Sequence, residues 1–112
     1  MKKSELREMI KDVINENKVG KIILQQLGGN KFIAMTGAKG FGITGNTLVF
    51  KIGRNSKGVN YIRITLDSND TYTMEFINIR KQKITIKAKH SGIYNDQLTT
   101  IFEKETGMYT HL

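Results

Sequence analysis

The stretch Asn60–Arg80 reads "NYIRITLDSNDTYTMEFINIR", and its period decides the fold. Ile62, Ile64 and Leu66 alternate with Tyr61, Arg63 and Thr65, the period-2 pattern of a strand with one buried side. A turn of Asp67–Asp70, "DSND", follows. Tyr72–Arg80 then alternates again, with Met74 and Phe76 on one face. Two strands joined by so short a connection pair antiparallel.

The same pattern extends in both directions. Toward the C-terminus, "RKQK" (Arg80–Lys83) reads as a second tight turn into Ile84–Lys89. Ile84, Ile86 and Ala88 are expected to face inward there. Toward the N-terminus, Thr47–Gly53 carries Leu48, Phe50 and Ile52 inward. A hairpin turn at Gly45-Asn46 joins it to Phe41–Thr44. Lys31–Thr36 ("KFIAMT") reads as the first strand.

Helical spacing frames the strands. Leu6, Met9, Ile10, Val13 and Ile14 fall on one helical stripe behind an N-capping Ser4. Asn17–Gly20 interrupts the pattern, and Ile22, Ile23 and Leu27 resume it up to a Gly28-Gly29 stop. Two short helices fit this better than one kinked helix. Near the C-terminus Tyr94, Leu98, Ile101 and Phe102 form a stripe that begins at Asn95 or Asp96 and ends at Gly107. The tail "MYTHL" is expected to pack on the domain. The chain therefore reads as one α+β domain over residues 1–112: helical over 1–29, an antiparallel meander of five or six strands over 30–90, and a helix over 94–107. The helices should cover one face of the sheet and leave the other open.

Composition narrows the function. Apolar residues make up 38% of the chain, which predicts a small core and favours a homodimer that would bury more. There is no cysteine, so disulfide, thiolate and zinc–thiolate chemistry is excluded. The start, "MKKSELREM", lacks the apolar run of a signal peptide. No segment approaches the roughly 20 apolar residues of a spanning helix, so no membrane partner is expected. The net charge is +8, and it is unevenly placed. Residues 17–95 hold thirteen basic and three acidic groups, whereas the first sixteen residues balance at four of each. A field of that sign draws polyanions.

Catalytic chemistry finds little support. "TGAKGFGITGN" (Thr36–Asn46) has four glycines and Lys39, but Lys39 precedes Gly40 and a strand pattern follows. A phosphate-binding loop needs the opposite order and a helix. The glycines read as bends. His90 and His111 have no partner at metal-ligand spacing and read as solvated. Asp67 and Asp70 read as turn formers, not metal ligands. No cofactor, metal or enzymatic activity is expected.

Binding chemistry is better represented. If Ile62, Ile64 and Leu66 face the core, the opposite side of the sheet carries Lys51, Tyr61, Arg63, Lys83, Lys87 and Lys89. "KIGRNSKGVN" (Lys51–Asn60) adds Arg54 and Lys57 on what reads as a flexible loop. Cations interleaved with an aromatic suit single-stranded nucleic acid, through phosphate pairing and base stacking.

Three blocks carry a further likeness: "ILQQLGGNKFIAMTGAKGF" (Ile23–Phe41), "NYIRITLDSNDTYTMEF" (Asn60–Phe76) and "IFEKETGMYTHL" (Ile101–Leu112). Together they resemble a family of small proteins encoded by phages, prophages and related mobile elements of bacteria. The likeness runs from around Gly20 onward and is weakest over residues 1–19. Related sequences tend to have Asn at the position of Gly40, so that glycine is not required. The resemblance brings no catalytic or binding residue with it. It implies a setting: the cytoplasm of a bacterial host, and genes for element maintenance, replication or conflict with the host. The expectation is a non-enzymatic accessory protein that binds nucleic acid. The alternative is a protein-binding module that modulates a host or defence factor, using Asn17–Leu27 and the "MYTHL" tail as apolar surface.

Overall fold

Two short helices precede the sheet in the computed structural model, which describes residues 18–110. The helix expected over residues 4–16, and His111, lie outside the described residues. Helix α1, Lys18–Leu27, buries Ile23 and Leu27, four residues apart and so on one side of the helix. Gly28 and Gly29 close it, donating their N–H groups to the carbonyls of Gln25 (3.1 Å) and Leu24 (2.9 Å).

The next segment corrects the sequence reading. Asn30–Thr36 is not a strand but a second helix, α2. Its buried residues are Phe32 and Thr36, again four apart. Six residues of mixed polarity fit both periods, and here Ala34, Met35 and a glycine stop decide for the helix. Gly37 sits at φ 69°, and its N–H bonds the Ile33 carbonyl at 2.9 Å, a left-handed C-cap. Phe32 links the layers. Its ring lies 5.6 Å from Phe50 at 89° and 4.9 Å from Phe102 at 66°.

Five strands follow: β1 Lys39–Thr44, β2 Thr47–Lys51, β3 Tyr61–Leu66, β4 Tyr72–Arg80 and β5 Lys83–Ile93. They form one antiparallel meander in chain order. A single 3₁₀ turn, Asn95–Gln97, leads into helix α3, Leu98–Thr106. Leu48, Phe50, Ile62, Ile64, Met74 and Phe76 meet Ile23, Phe32, Leu98 and Phe102 in one core. Each fully buried phenylalanine contributes about 1.5–3 kcal/mol. Met108 packs against this core, and Thr110 is buried, held by the Glu103 carboxylate. Tyr109, 72% exposed, does not join the rest of the tail. Among the described residues, no helix is long and apolar enough to cross a membrane.

Two irregularities in β5 place its side chains. Phe76 faces Ala88, but Ile77 faces Ile86, so Lys87 is an extra residue, a β-bulge. A second shift lies between the pairs Met74–His90 and Tyr72–Ile93, where Gly92 takes φ 68°. Beyond the first bulge the phase is reversed. Ile84 and Ile86 therefore point away from the core, contrary to the sequence expectation, and are 66% and 57% exposed.

Candidate nucleic-acid interface

The face opposite the helices is ordered in rows, because residues paired across antiparallel strands share a side. One row runs Lys39, Lys51, Tyr61, Ile77, Ile86 from β1 to β5. The next runs Gly42, Val49, Arg63, Glu75, Lys89. A third is made of hydroxyls: Thr44, Thr47, Thr65 and Thr73. Thr47 and Thr65 hydrogen-bond at 3.1 Å, and Thr73 Oγ1 donates to Asp67 Oδ2 at 2.7 Å. Asp67 thus shapes the turn as expected, but through a side-chain hydroxyl.

The predicted residues do not all come together. Lys51 and Tyr61 are direct neighbours, whereas Arg63 and Lys89 share a row two strands apart with Glu75 between them. The sequence reading counts that acid in the sheet region but not on this face. Its Oε1 lies 3.5 Å from Arg63 Nη1, so one positive charge of the second row is compensated on the spot. Lys87 is the bulge residue. Lys83 pairs with Arg80 on the reverse side, for the same phase reason that turns Ile84 outward. Arg54 also lines a hollow with Asn78 and Arg80, and Lys57 is exposed on its loop.

That loop is braced by one of its own side chains. Asn55 Nδ2 donates to the carbonyls of Gly53 (3.0 Å) and Val59 (2.5 Å), and its Oδ1 accepts from the N–H groups of Lys57 (3.2 Å) and Val59 (3.1 Å). One side chain staples both limbs. The Gly53 N–H also bonds the Thr36 carbonyl at 2.9 Å, which docks the loop on α2.

Sequence reasoning missed Lys39, Arg80 and the outward isoleucines. Lys39 lies in the glycine-rich stretch that reads as bends, yet it opens β1 directly opposite Lys51. With Lys51, Ile52, Asn60, Tyr61 and Ile79 it lines a cleft of about 260 Å³. Two like charges facing each other across a ladder oppose stability, and an anion between them relieves the repulsion. His90, expected to be solvated, is half-buried and bonded to Glu105 of α3 at 2.5 Å. No group of three or more His, Asp or Glu that could hold a metal ion occurs among the described residues.

No protein-family model, curated protein or solved structure matches the chain.

Proposed function

We propose that this chain is a non-enzymatic nucleic-acid-binding accessory protein of a phage or mobile element, acting in the bacterial cytoplasm, with single strands favoured. The setting comes from the sequence resemblance. The binding rests on one observation: Lys39 and Lys51 are paired beside Tyr61 on the sheet face opposite helices α1–α3. Paired ammonium groups take successive phosphates, and the phenol ring offers a base a surface to stack on. Arg63 and Lys89 flank the track on the next row, weakened by Glu75. The hydroxyl row offers neutral donors to sugar and phosphate oxygens.

Fluorescence anisotropy with labelled single-stranded DNA, duplex DNA and RNA at two salt concentrations tests the reading. Affinity should fall with salt by about 0.7 logarithmic units per decade for each phosphate contact on a single strand. Absence of binding at low salt removes the proposal.

Three exposed isoleucines support a second reading, a protein-binding module that modulates a host or defence factor. Ile79 and Ile84 are paired, Ile86 follows on the same side, and all three are exposed. Ile84→Lys separates the readings. It should leave oligonucleotide binding equal or stronger, whereas a partner retained by the native chain after nuclease treatment and lost from this variant favours the second.

A further inference from the structure

The other side of the β4–β5 hairpin is chemically the reverse of the isoleucine side. Asn78 faces Thr85, and Arg80 faces Lys83. By strand alternation they lie on the side of Met74 and Phe76, but beyond the core, where Arg80, Lys83 and Thr85 are exposed. The 53–59 loop runs alongside, and Asn78 Nδ2 ties the two together by donating to the Gly58 carbonyl at 2.6 Å. Two abutting hollows result, of about 410 and 430 Å³. Arg54 and Arg80 line the first; Arg80, Lys81 and Lys83 line the second. Asn78 and Arg80 belong to both, and among the described residues no carboxylate lines either.

We infer that this groove binds a run of linked phosphates, at a site separate from the outer sheet face. The charged groups of the lining are all cationic, two guanidinium and two ammonium groups, with asparagine carboxamides and the Thr85 hydroxyl beside them. Guanidinium forks match phosphate oxygens in pairs. Two hollows that share a wall suit consecutive phosphates better than one isolated anion. The frame is set before any ligand arrives. Asn55 fixes the loop that bears Arg54, and Asn60 and Asn78 fix the strand that bears Arg80. Preorganised groups lose less freedom on binding. At the hairpin tip, Lys81 and Gln82 keep φ values of 48° and 69°. This left-handed conformation is disfavoured for both residue types, and it carries Lys81 to the edge of the groove. Linked phosphates come from two sources, a free polyphosphate chain or the backbone of a nucleic-acid strand, and the chemistry recognised is the same.

The probe is inorganic tripolyphosphate, titrated at constant ionic strength into the full chain and followed by ¹⁵N–¹H NMR and calorimetry. Amide shifts should concentrate at Asn55, Gly58, Asn78, Arg80 and Lys83. The double variant R54A/R80A should weaken binding about tenfold or more, while Lys104→Ala, an exposed cation on α3, leaves it unchanged. A parallel arm titrates a single-stranded oligonucleotide into the same variants. Loss of oligonucleotide affinity in R54A/R80A assigns the groove to a strand backbone. Loss of tripolyphosphate binding alone assigns it to a free polyphosphate, and this result stands even if the outer face binds no nucleic acid. Shifts centred on Lys39 and Lys51, or an R54A/R80A variant that binds tripolyphosphate as the native chain does, overturn the inference.

Discussion

The side chain of Asn60 pairs with Ile79 as a further strand residue would. Its Oδ1 accepts the Ile79 N–H at 2.8 Å and its Nδ2 donates to the Ile79 carbonyl at 2.9 Å, while the Asn60 backbone N–H bonds the Ile77 carbonyl at 3.0 Å. β3 has already turned away into the 53–59 loop at this point. The carboxamide carries the ladder one step beyond it and holds the hairpin that bears both the isoleucines and Arg80.

Asn60→Ala removes both of those side-chain bonds. The expected loss of stability is about 1–2 kcal/mol, at roughly 1 kcal/mol per bond. Hydrogen exchange locates the effect: the Ile79 amide should lose protection while the Ile64 amide keeps it. Unchanged exchange at Ile79 contradicts the splint role.

Tyr61→Ala should reduce affinity for single-stranded DNA by about 1–3 kcal/mol, and Tyr61→Phe by little, because the ring and not the hydroxyl stacks. Lys39→Ala and Lys51→Ala should each lower the salt slope by about 0.7. Equal losses for the Phe and Ala variants would point away from stacking.

The Arg80–Lys83 turn is a two-residue hairpin with both central residues at positive φ, which favours Asn-Gly over Lys-Gln. The double substitution K81N/Q82G should therefore stabilise the chain by roughly 1 kcal/mol, read as a raised thermal midpoint. A lowered midpoint contradicts the strain assignment.

Deleting Lys87 should be tolerated. The pairs Ile77–Ile86 and Phe76–Ala88 would then follow each other in a regular ladder, with every remaining side chain on its present face. Stability within about 1 kcal/mol of the parent is expected, checked by urea unfolding. Failure to fold would mean that the bulge itself is required.

Burial holds the Tyr72 phenol above its ordinary pKa of 10.0, and the Asp70 carboxylate adds to the effect. The unfolded chain therefore releases this proton at lower pH than the folded chain does. The associated stability is complete below about pH 10 and declines as pH rises through the folded value. Tyr72→Phe loses the bond to Gln26, 2.8 Å in the native chain, at a cost of about 1 kcal/mol near neutral pH. The gap between the two proteins should narrow as pH rises above about 10; a gap that widens there contradicts the raised value.

Much of this fold was legible in the sequence. The alternation of Asn60–Arg80, the Gly45-Asn46 turn and the Gly107 stop all lie where the residues placed them. Lys31–Thr36 was not legible, because six residues of mixed polarity satisfy two periods at once, and only the exposure of Ala34 between buried Phe32 and Thr36 rules out the strand. The isoleucines are more instructive. A two-residue turn between Arg80 and Lys83 pairs Ile79 with Ile84 and Ile77 with Ile86. With Met74 and Phe76 inward, alternation sends Ile77 and Ile79 outward, and their partners with them. Counting through the turn therefore gives the correct phase for Ile84 and Ile86. Reading β5 alone fails, because the extra Lys87 puts its two halves out of step. The reverse groove had no local signal at all, since Arg54 and Arg80 are brought together by Asn78 and Gly58 across two connections.

The sheet is irregular at both margins. β1 shifts register between Lys39 and Gly42, and β5 does so twice, with Lys83, Lys87 and Lys89 along it. An incoming strand finds neither a straight row of free amides nor an uncharged border. In a crowded cell or a concentrated sample, these shifts and the β5 lysines work against growth of the sheet by edge-on addition of a further strand.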